Sequence, residues 1–317
     1  KVSSNATDQI EYAGAPLASR DRATWKVRVW DGNGNASGWS EPAAFGVGLL
    51  KAEDWQALWI SAARDESFET KENIQNFAGD PERGKLIVTP AKYFRKDFEA
   101  KAVKRATLHA SALGVFTVEL NGTRVSDERL APGWTAYQRR VHSKTYDVTK
   151  LVANGANTLG TTLADGWYAG YVAYGLLTGQ EGLVPGVDGR YYYGVSPAVR
   201  IQLELELADG TRKVDILRGE SYDARKEFPG WSKPGFDESK WQPAVAKTGT
   251  ASQVLPHPGV PVRPVAEIQP KSVTEQSPGK FVFDLGQNIS GVVRLKVKGS
   301  AGEKVTLRYA EMLHKDG

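Results

Sequence analysis

The strongest constraint on this fold is a run of short alternating segments, punctuated by turn dipeptides, between Leu113 and Gly170. Val115, Thr117 and Glu119 on one side and Arg124 and Val125 on the other flank Asn121-Gly122. That dipeptide favours the two-residue hairpin turn, whose central positions both need positive φ. Pro132-Gly133-Trp134 follows, then an extended Tyr146-Asp147-Val148, a second turn at Asn154-Gly155, and Asp165-Gly166-Trp167-Tyr168. Short strands, tight turns and aromatics beside the turns specify a β-sandwich that presents something at its loops.

The same reading extends along the chain. Strands are expected at Tyr93–Phe98, Arg105–Ala112, Val115–Leu120, His142–Asp147, Asn157–Leu163, Val199–Leu207 and Asp215–Arg218. Ile201, Leu203, Leu205 and Leu207 alternate with Gln202, Glu204 and Glu206, which predicts one buried and one wet face. A short helical turn is expected at Val148–Val152, near a cap at Asp147 or Thr149. With almost no helical periodicity, the central region reads as an antiparallel sandwich of jelly-roll type. Phe228–Trp241 gathers Trp231, Phe236 and Trp241 in a Gly/Pro-marked loop, expected to close the end of that sandwich.

Upstream, Thr24–Trp30 alternates as a strand, Asp31–Asn35 turns, and Ser37-Gly38-Trp39-Ser40 leads into Ala43–Val47. That pattern resembles the last two strands of a fibronectin type III domain. Ala62–Glu82 reads as a polar surface excursion. Downstream, Gln253–Pro270 is proline-rich and extended. Phe281–Asn288, Gly291–Val297 and Lys304–Tyr309 then open another sandwich. A length of 317 residues implies two or three domains, with boundaries expected at 1–48, 49–250 and 251–317. The fold class is therefore all-β, a tandem of antiparallel β-sandwiches. Because the first and last of these are incomplete, and the chain opens without a methionine or an apolar signal core, both ends are expected to be cut from a longer chain.

Composition narrows the chemistry. The 41 Lys+Arg nearly balance the 37 Asp+Glu, leaving a net charge of +4. With no five-residue basic block, nucleic acid is not an expected partner. No run of 18 apolar residues occurs, so no membrane-spanning helix is expected. There are no cysteines, which excludes disulfides, thiolate zinc sites and cysteine nucleophiles; this does not choose between periplasm, cytoplasm and export. The four histidines lack metal-binding spacing. Dinucleotide, phosphate-loop, zinc-protease and nucleophile-elbow motifs do not occur. The remaining catalytic option is a carboxylate pair across a sugar, for which Asp165, Asp188, Asp223, Asp237, Asp284 and Glu311 lie on loops. Each also reads as a turn former or solvated charge.

Binding has more support. An aromatic face against the apolar side of a pyranose, with amides and carboxylates for its hydroxyls, is the chemistry of sugar recognition. Asn121, Trp134, Tyr137, Asp165, Trp167 and Tyr168 supply those groups on loops of one sandwich, with Tyr171, Tyr174 and the Asp188–Tyr193 loop nearby. Asn and Asp oxygens are also what Ca²⁺ takes. The competing reading makes Trp134 and Trp167 core anchors and Asn121 a residue chosen for its left-handed turn.

The motifs LNGTRV, LAPGWTAYQRRVHSKTYDVT, NGANTLG, DGWYAG, GESYDAR, FDESKW and DLGQNISGVVRLKVKG, in this order, resemble the bacterial α-L-rhamnosidases of glycoside hydrolase family 78. The resemblance covers nearly the whole chain, with one departure in the short Thr211–Arg218 connection. It implies a fibronectin-like domain, a rhamnosidase N-terminal jelly roll and the start of a further β-sandwich, followed in the family by a helical barrel. The implied activity is inverting hydrolysis of terminal α-L-rhamnosyl groups from glycosides or polysaccharides, without a catalytic cofactor. The family's acid and base belong to barrel motifs with no counterpart here, so no catalytic residue is assigned to this chain. In some members the jelly roll binds rhamnose with calcium, a role the resemblance carries to Asn121 and Asp165. The alternative is a stand-alone carbohydrate-binding or adhesion protein.

Overall fold

The computed structural model describes residues 12–62, 74–76, 85–87, 89–172, 192–216, 220–223, 228–248 and 252–312. Tyr174, Asp188 and most of the Ala62–Glu82 excursion lie outside them. The chain divides into two compact units, Lys1–Val262 and Arg263–Gly317.

In the first unit the strands are β1 (Arg22–Trp25), β2 (Ala43–Gly46), β3 (Ile60–Ser61), β4 (Ile74–Asn76) and β5 (Lys85–Ile87), followed by β6 (Lys92–Ala100), β7 (Val103–Leu113), β8 (Val115–Leu120) and β9 (Thr123–Arg124). Then come β10 (Arg140–Asp147), β11 (Gly155–Ala164), β12 (Ala198–Leu207), β13 (Arg212–Ile216), β14 (Glu220–Asp223), β15 (Gln242–Pro243), β16 (Val245–Ala246) and β17 (Gln253–Pro256). One sheet runs β16-β3-β12-β7-β10-β17, with β13 also on β12; the other runs β15-β14-β6-β11-β8-β9. Pairing is antiparallel except at one edge, where β17 joins β10 in parallel. The expected helical turn is a single 3₁₀ turn at Thr149–Leu151.

Alternation decides what lies between the sheets. Ala106, Leu108, Ala110 and Ala112 of β7 and Val199, Ile201, Leu203 and Leu205 of β12 face Phe94, Phe98, Phe116, Val118, Leu120, Leu159 and Leu163 of the other sheet. Burying each large apolar side chain there contributes about 1.5–3 kcal/mol.

The outer faces differ from the sequence reading. Gln202 and Glu204 are not wet: they are 0% and 6% exposed. The segment before β3 covers them, because the backbone N–H groups of Gln56 and Ala57 donate to Gln202 Oε1 at 2.7 and 3.1 Å. Arg200 donates to the Ala57 and Trp55 carbonyls. Arg20 closes the cluster, donating to Glu204 from Nε at 2.8 Å and from Nη2 at 2.7 Å, and to Asp54 at 2.7 Å. Burial alone would raise the Glu204 carboxyl pKa. Hydrogen bonds from Arg20 and Gln202, with His109 Nε2 nearby at 3.8 Å, outweigh it and hold the group well below the usual carboxylate range.

The Phe228–Trp241 loop is also placed differently. Phe94 and Phe98 point into the core, so the intervening Arg95 and neighbouring Tyr93 point outward. The loop packs on that outer face and does not cap the sandwich end. Tyr93 stacks on Trp231 at 4.5 Å, and buried Arg95 donates to the Trp231 and Lys233 carbonyls and pairs with Asp97 and Glu238. Gly160 permits the approach, since a Cβ there would lie 2.8 Å from both Trp231 and Ser232.

The Thr24–Trp30 strand is shorter than expected: Arg22–Trp25 pairs with Ala43–Gly46, and beyond it Trp30 makes an isolated bridge to Ala36. Between them the Val27 and Val29 N–H groups donate to the Ser40 and Ser37 hydroxyl oxygens. In the second unit β18 (Ser272–Ser277) and β19 (Lys280–Asp284) form a hairpin. The strands expected at Gly291–Val297 and Lys304–Tyr309 have no ladder partner among the described residues. Their apolar side chains, Val292 and Tyr309 among them, are exposed, and a strand pattern becomes a strand only against a partner.

Candidate functional site

The loop end of the sandwich is built by β11 and the turn after it. Asp165 precedes the single-turn helix α1 (Gly166–Ala169). Gly166 has φ +51°, and a Cβ there would meet Val115 at 2.8 Å. Glycine at 166 is therefore a steric requirement of this corner. The corner sets Trp167 parallel to Trp134, with ring centroids 6.1 Å apart and planes 8° apart. Trp134 is 48% exposed, and its Nε1 donates to the Tyr193 hydroxyl at 3.3 Å. Tyr192 is exposed and stands edge-on to Tyr193. Thr89 donates to Asp165 Oδ2 at 2.5 Å.

Beneath this surface, Tyr137 and Tyr168 are buried packing anchors in edge contact at 5.3 Å. Burial pushes both phenols upward, Tyr193 and Tyr168 adding to the effect on Tyr137. Lys247 lies 5.9 Å from the Tyr168 ring, its pKa lowered by burial. Where β10 meets the end of β17, buried His142 stands edge-on to half-buried His257 at 4.9 Å. Burial, reinforced by His257, Arg140 and Lys144, depresses His142 to about 4. No spacing pattern in the sequence pointed to Lys247 or to this histidine pair, because parallel strand addition brings β17 to β10.

Asn121 is elsewhere. The β8–β11 register pairs Leu120 with Leu159 and Val115 with Ala164, so Asn121 and Asp165 sit at opposite ends of β8. At roughly 3.3 Å per residue they are about 20 Å apart. The Asn121 side chain is already committed: Nδ2 donates to Leu151 O and Asn157 Oδ1, and Oδ1 accepts the Thr158 N–H. Its φ of +54° is that of the hairpin turn. Ca²⁺ binds oxygens at 2.3–2.6 Å, roughly, so this pair does not fit one calcium ion. Among the described residues no cluster of three or more His, Asp or Glu could hold a metal. Of the six expected sugar-binding residues, Trp134, Asp165 and Trp167 share the surface, Tyr137 and Tyr168 support it, and Asn121 stands apart as a turn residue.

Two facing sheets with an aromatic loop end define an all-β protein assembled from sandwich modules. The family model for the α-L-rhamnosidase N-terminal domain matches residues 101–266. A Rha78A-like N-terminal immunoglobulin domain model matches 1–51, and a bacterial α-L-rhamnosidase concanavalin-like domain model matches 274–317. The chain belongs to the α-L-rhamnosidase family. It is 40% identical, over 93% of its length, to an α-L-rhamnosidase of Streptomyces avermitilis, of which it covers 27%. It is 35% identical over 99% of its length to an α-L-rhamnosidase of Alteromonas sp. (strain LOR), of which it covers 34%. The chain thus spans about a third of these curated relatives. Among solved structures, the native α-L-rhamnosidase of Aspergillus terreus matches with TM-score 0.73 and 28% identity over 90% of this chain and 32% of that one. The Streptomyces avermitilis α-L-rhamnosidase complexed with L-rhamnose matches with TM-score 0.72 and 26% identity, covering 91% and 43%.

Proposed function

We propose that this chain forms the N-terminal, non-catalytic β-modules of an inverting α-L-rhamnosidase that removes terminal α-L-rhamnosyl groups from glycosides or polysaccharides. The observation that carries the reading is the succession, in order along the chain, of three rhamnosidase-associated domain matches at 1–51, 101–266 and 274–317. Inversion needs an acid and a base roughly 6.5–9.5 Å apart across a water. We assign both to a helical barrel in the remainder of the polypeptide. Within this chain the Trp134–Trp167 surface is assigned to sugar contact. Its indole faces suit the apolar side of a pyranose, with Asp165 and Tyr193 beside it for hydroxyls.

The test is turnover of an aryl α-L-rhamnoside by residues 1–317 and by the full-length enzyme. The full-length enzyme should hydrolyse it and this chain should not. Turnover by residues 1–317 would place the acid and base here. Titration with L-rhamnose, followed by tryptophan fluorescence, tests the surface: a response unchanged in both Trp134→Ala and Trp167→Ala removes it from sugar contact.

A further inference from the structure

The N-terminal module carries a feature that neither hydrolysis nor the Trp134–Trp167 surface uses. Around the hydroxyl-bridged stretch at Val27 and Val29, alternation separates two faces. Trp25, Val27 and Val29 fall on one, an apolar set that is itself exposed in this structure. Lys26, Arg28 and Trp30 fall on the other. There the Arg28 guanidinium lies over Trp30 at 4.8 Å and over Trp39 at 5.0 Å, and Lys26 Nζ lies over Trp39 at 4.9 Å. Trp30 and Trp39 remain 36% and 54% exposed. Cations and indoles thus alternate along one face of the module.

Among the described residues no carboxylate pairs with Lys26 or Arg28, and Arg28 Nε is buried without a hydrogen-bond partner. The neighbouring carboxylate, Asp31, is turned into its own loop, where it accepts the N–H groups of Asn33 and Asn35 and the Asn35 amide. A structural cation–π ladder needs no free charge, whereas this one keeps two cations in place beside exposed indoles.

We propose that this face binds an acidic polysaccharide. Carboxylate or sulfate groups would pair with Lys26 and Arg28, and pyranose faces would lie on Trp30 and Trp39. The planar Arg28 guanidinium, 4.8 and 5.0 Å from the two ring centroids, has terminal N–H groups that suit hydrogen bonds to an oxyanion. This reading is independent of where hydrolysis occurs.

The experiment is affinity electrophoresis of the 1–317 chain at low salt through gels containing polygalacturonate, dextran sulfate or neutral dextran, with duplex DNA as a fourth polyanion. Retardation by polygalacturonate identifies a carboxylate-bearing ligand, and retardation by dextran sulfate a sulfated one; neutral dextran should have no effect. Lys26→Gln/Arg28→Gln should weaken retardation about five- to tenfold, and exposed Lys26→Gln alone about two- to threefold. Lys101→Gln/Lys240→Gln, with the same net charge, should stay within about twofold of the parent. The proposal fails if neither polyanionic glycan retards the parent, or if the two double variants weaken equally. It also fails if DNA retards the chain as strongly as the glycans do.

Discussion

Removing the Arg20 guanidinium is the sharpest test of how the N-terminal segment is tied to the sandwich. In Arg20→Ala, Glu204 stays buried but loses the donors Arg20 gives both its oxygens, keeping only Gln202 Nε2 at 2.8 Å among the described residues. Breaking a fully buried pair costs about 3–5 kcal/mol. Arg20 is about a fifth exposed, so water replaces part of what is lost, and about 2–3 kcal/mol is expected. At about 2–4 °C per kcal/mol for a unit of this size, that is a fall of about 5–10 °C in Tm. Urea unfolding followed by tryptophan fluorescence reads it through Trp55, which the cluster positions. Replacing both partners, Arg20→Met/Glu204→Met, should recover part of the loss, because Glu204 no longer leaves a buried charge while Asp54 still loses its cation. Acid adds a second readout. A carboxylate held below its unfolded value stabilises the fold above the unfolded pKa, and that contribution is lost as pH falls toward the folded one. The loss should be shallower in Arg20→Ala. A variant within 0.5 kcal/mol of the parent (roughly the scatter of surface changes), or a double variant no better than the single, would refute the argument.

Three further outcomes follow from the geometry. His142 is neutral in the fold with a pKa of about 4, whereas an unfolded histidine takes its proton near 6.5, roughly. Stability should therefore hold above about pH 6.5 and fall by about 3 kcal/mol as pH drops toward 4; urea midpoints across that range should flatten in His142→Gln, and identical profiles would contradict the assignment. Asn121→Ala removes three hydrogen bonds and puts Ala, which tolerates the left-handed region less well than Asn, at φ +54°, so a loss of about 2–4 kcal/mol is expected. Calcium should leave the parent's Tm unchanged, and a calcium-dependent rise abolished by this variant would restore Asn121 as a ligand. Gly160→Ala pushes a methyl against Trp231 and should cost about 1–3 kcal/mol, with faster proteolysis in Phe228–Trp241; an unaffected stability would mean that the loop is not seated on that face.

The strand positions were legible because one-sided burial writes a two-residue period into the chain. Val199–Leu207 and Val115–Leu120 could be placed within a residue or so from alternation alone. The turns were equally local: Asn121-Gly122 and Asp165-Gly166 carry their backbone demands in their own chemistry. The Asn121 amide shows the limit of that information. Its turn could be read from the dipeptide, but its commitment to Leu151, Asn157 and Thr158 depends on strands that come together only in the fold.

What the sequence by itself determined was therefore the all-β class, the strand order along the chain, the tight turns and the family. Each depends on residues within a few positions of one another, or on motif order. The tertiary structure decided which outer faces are covered. Gln202 and Glu204 alternate like solvent-facing residues, yet Trp55, Ala57 and Arg20 enclose them from more than a hundred residues away. It also decided that Trp134 and Trp167 share a surface while Asn121 and Asp165 do not, since strand register fixes distance between loops and no local pattern encodes it.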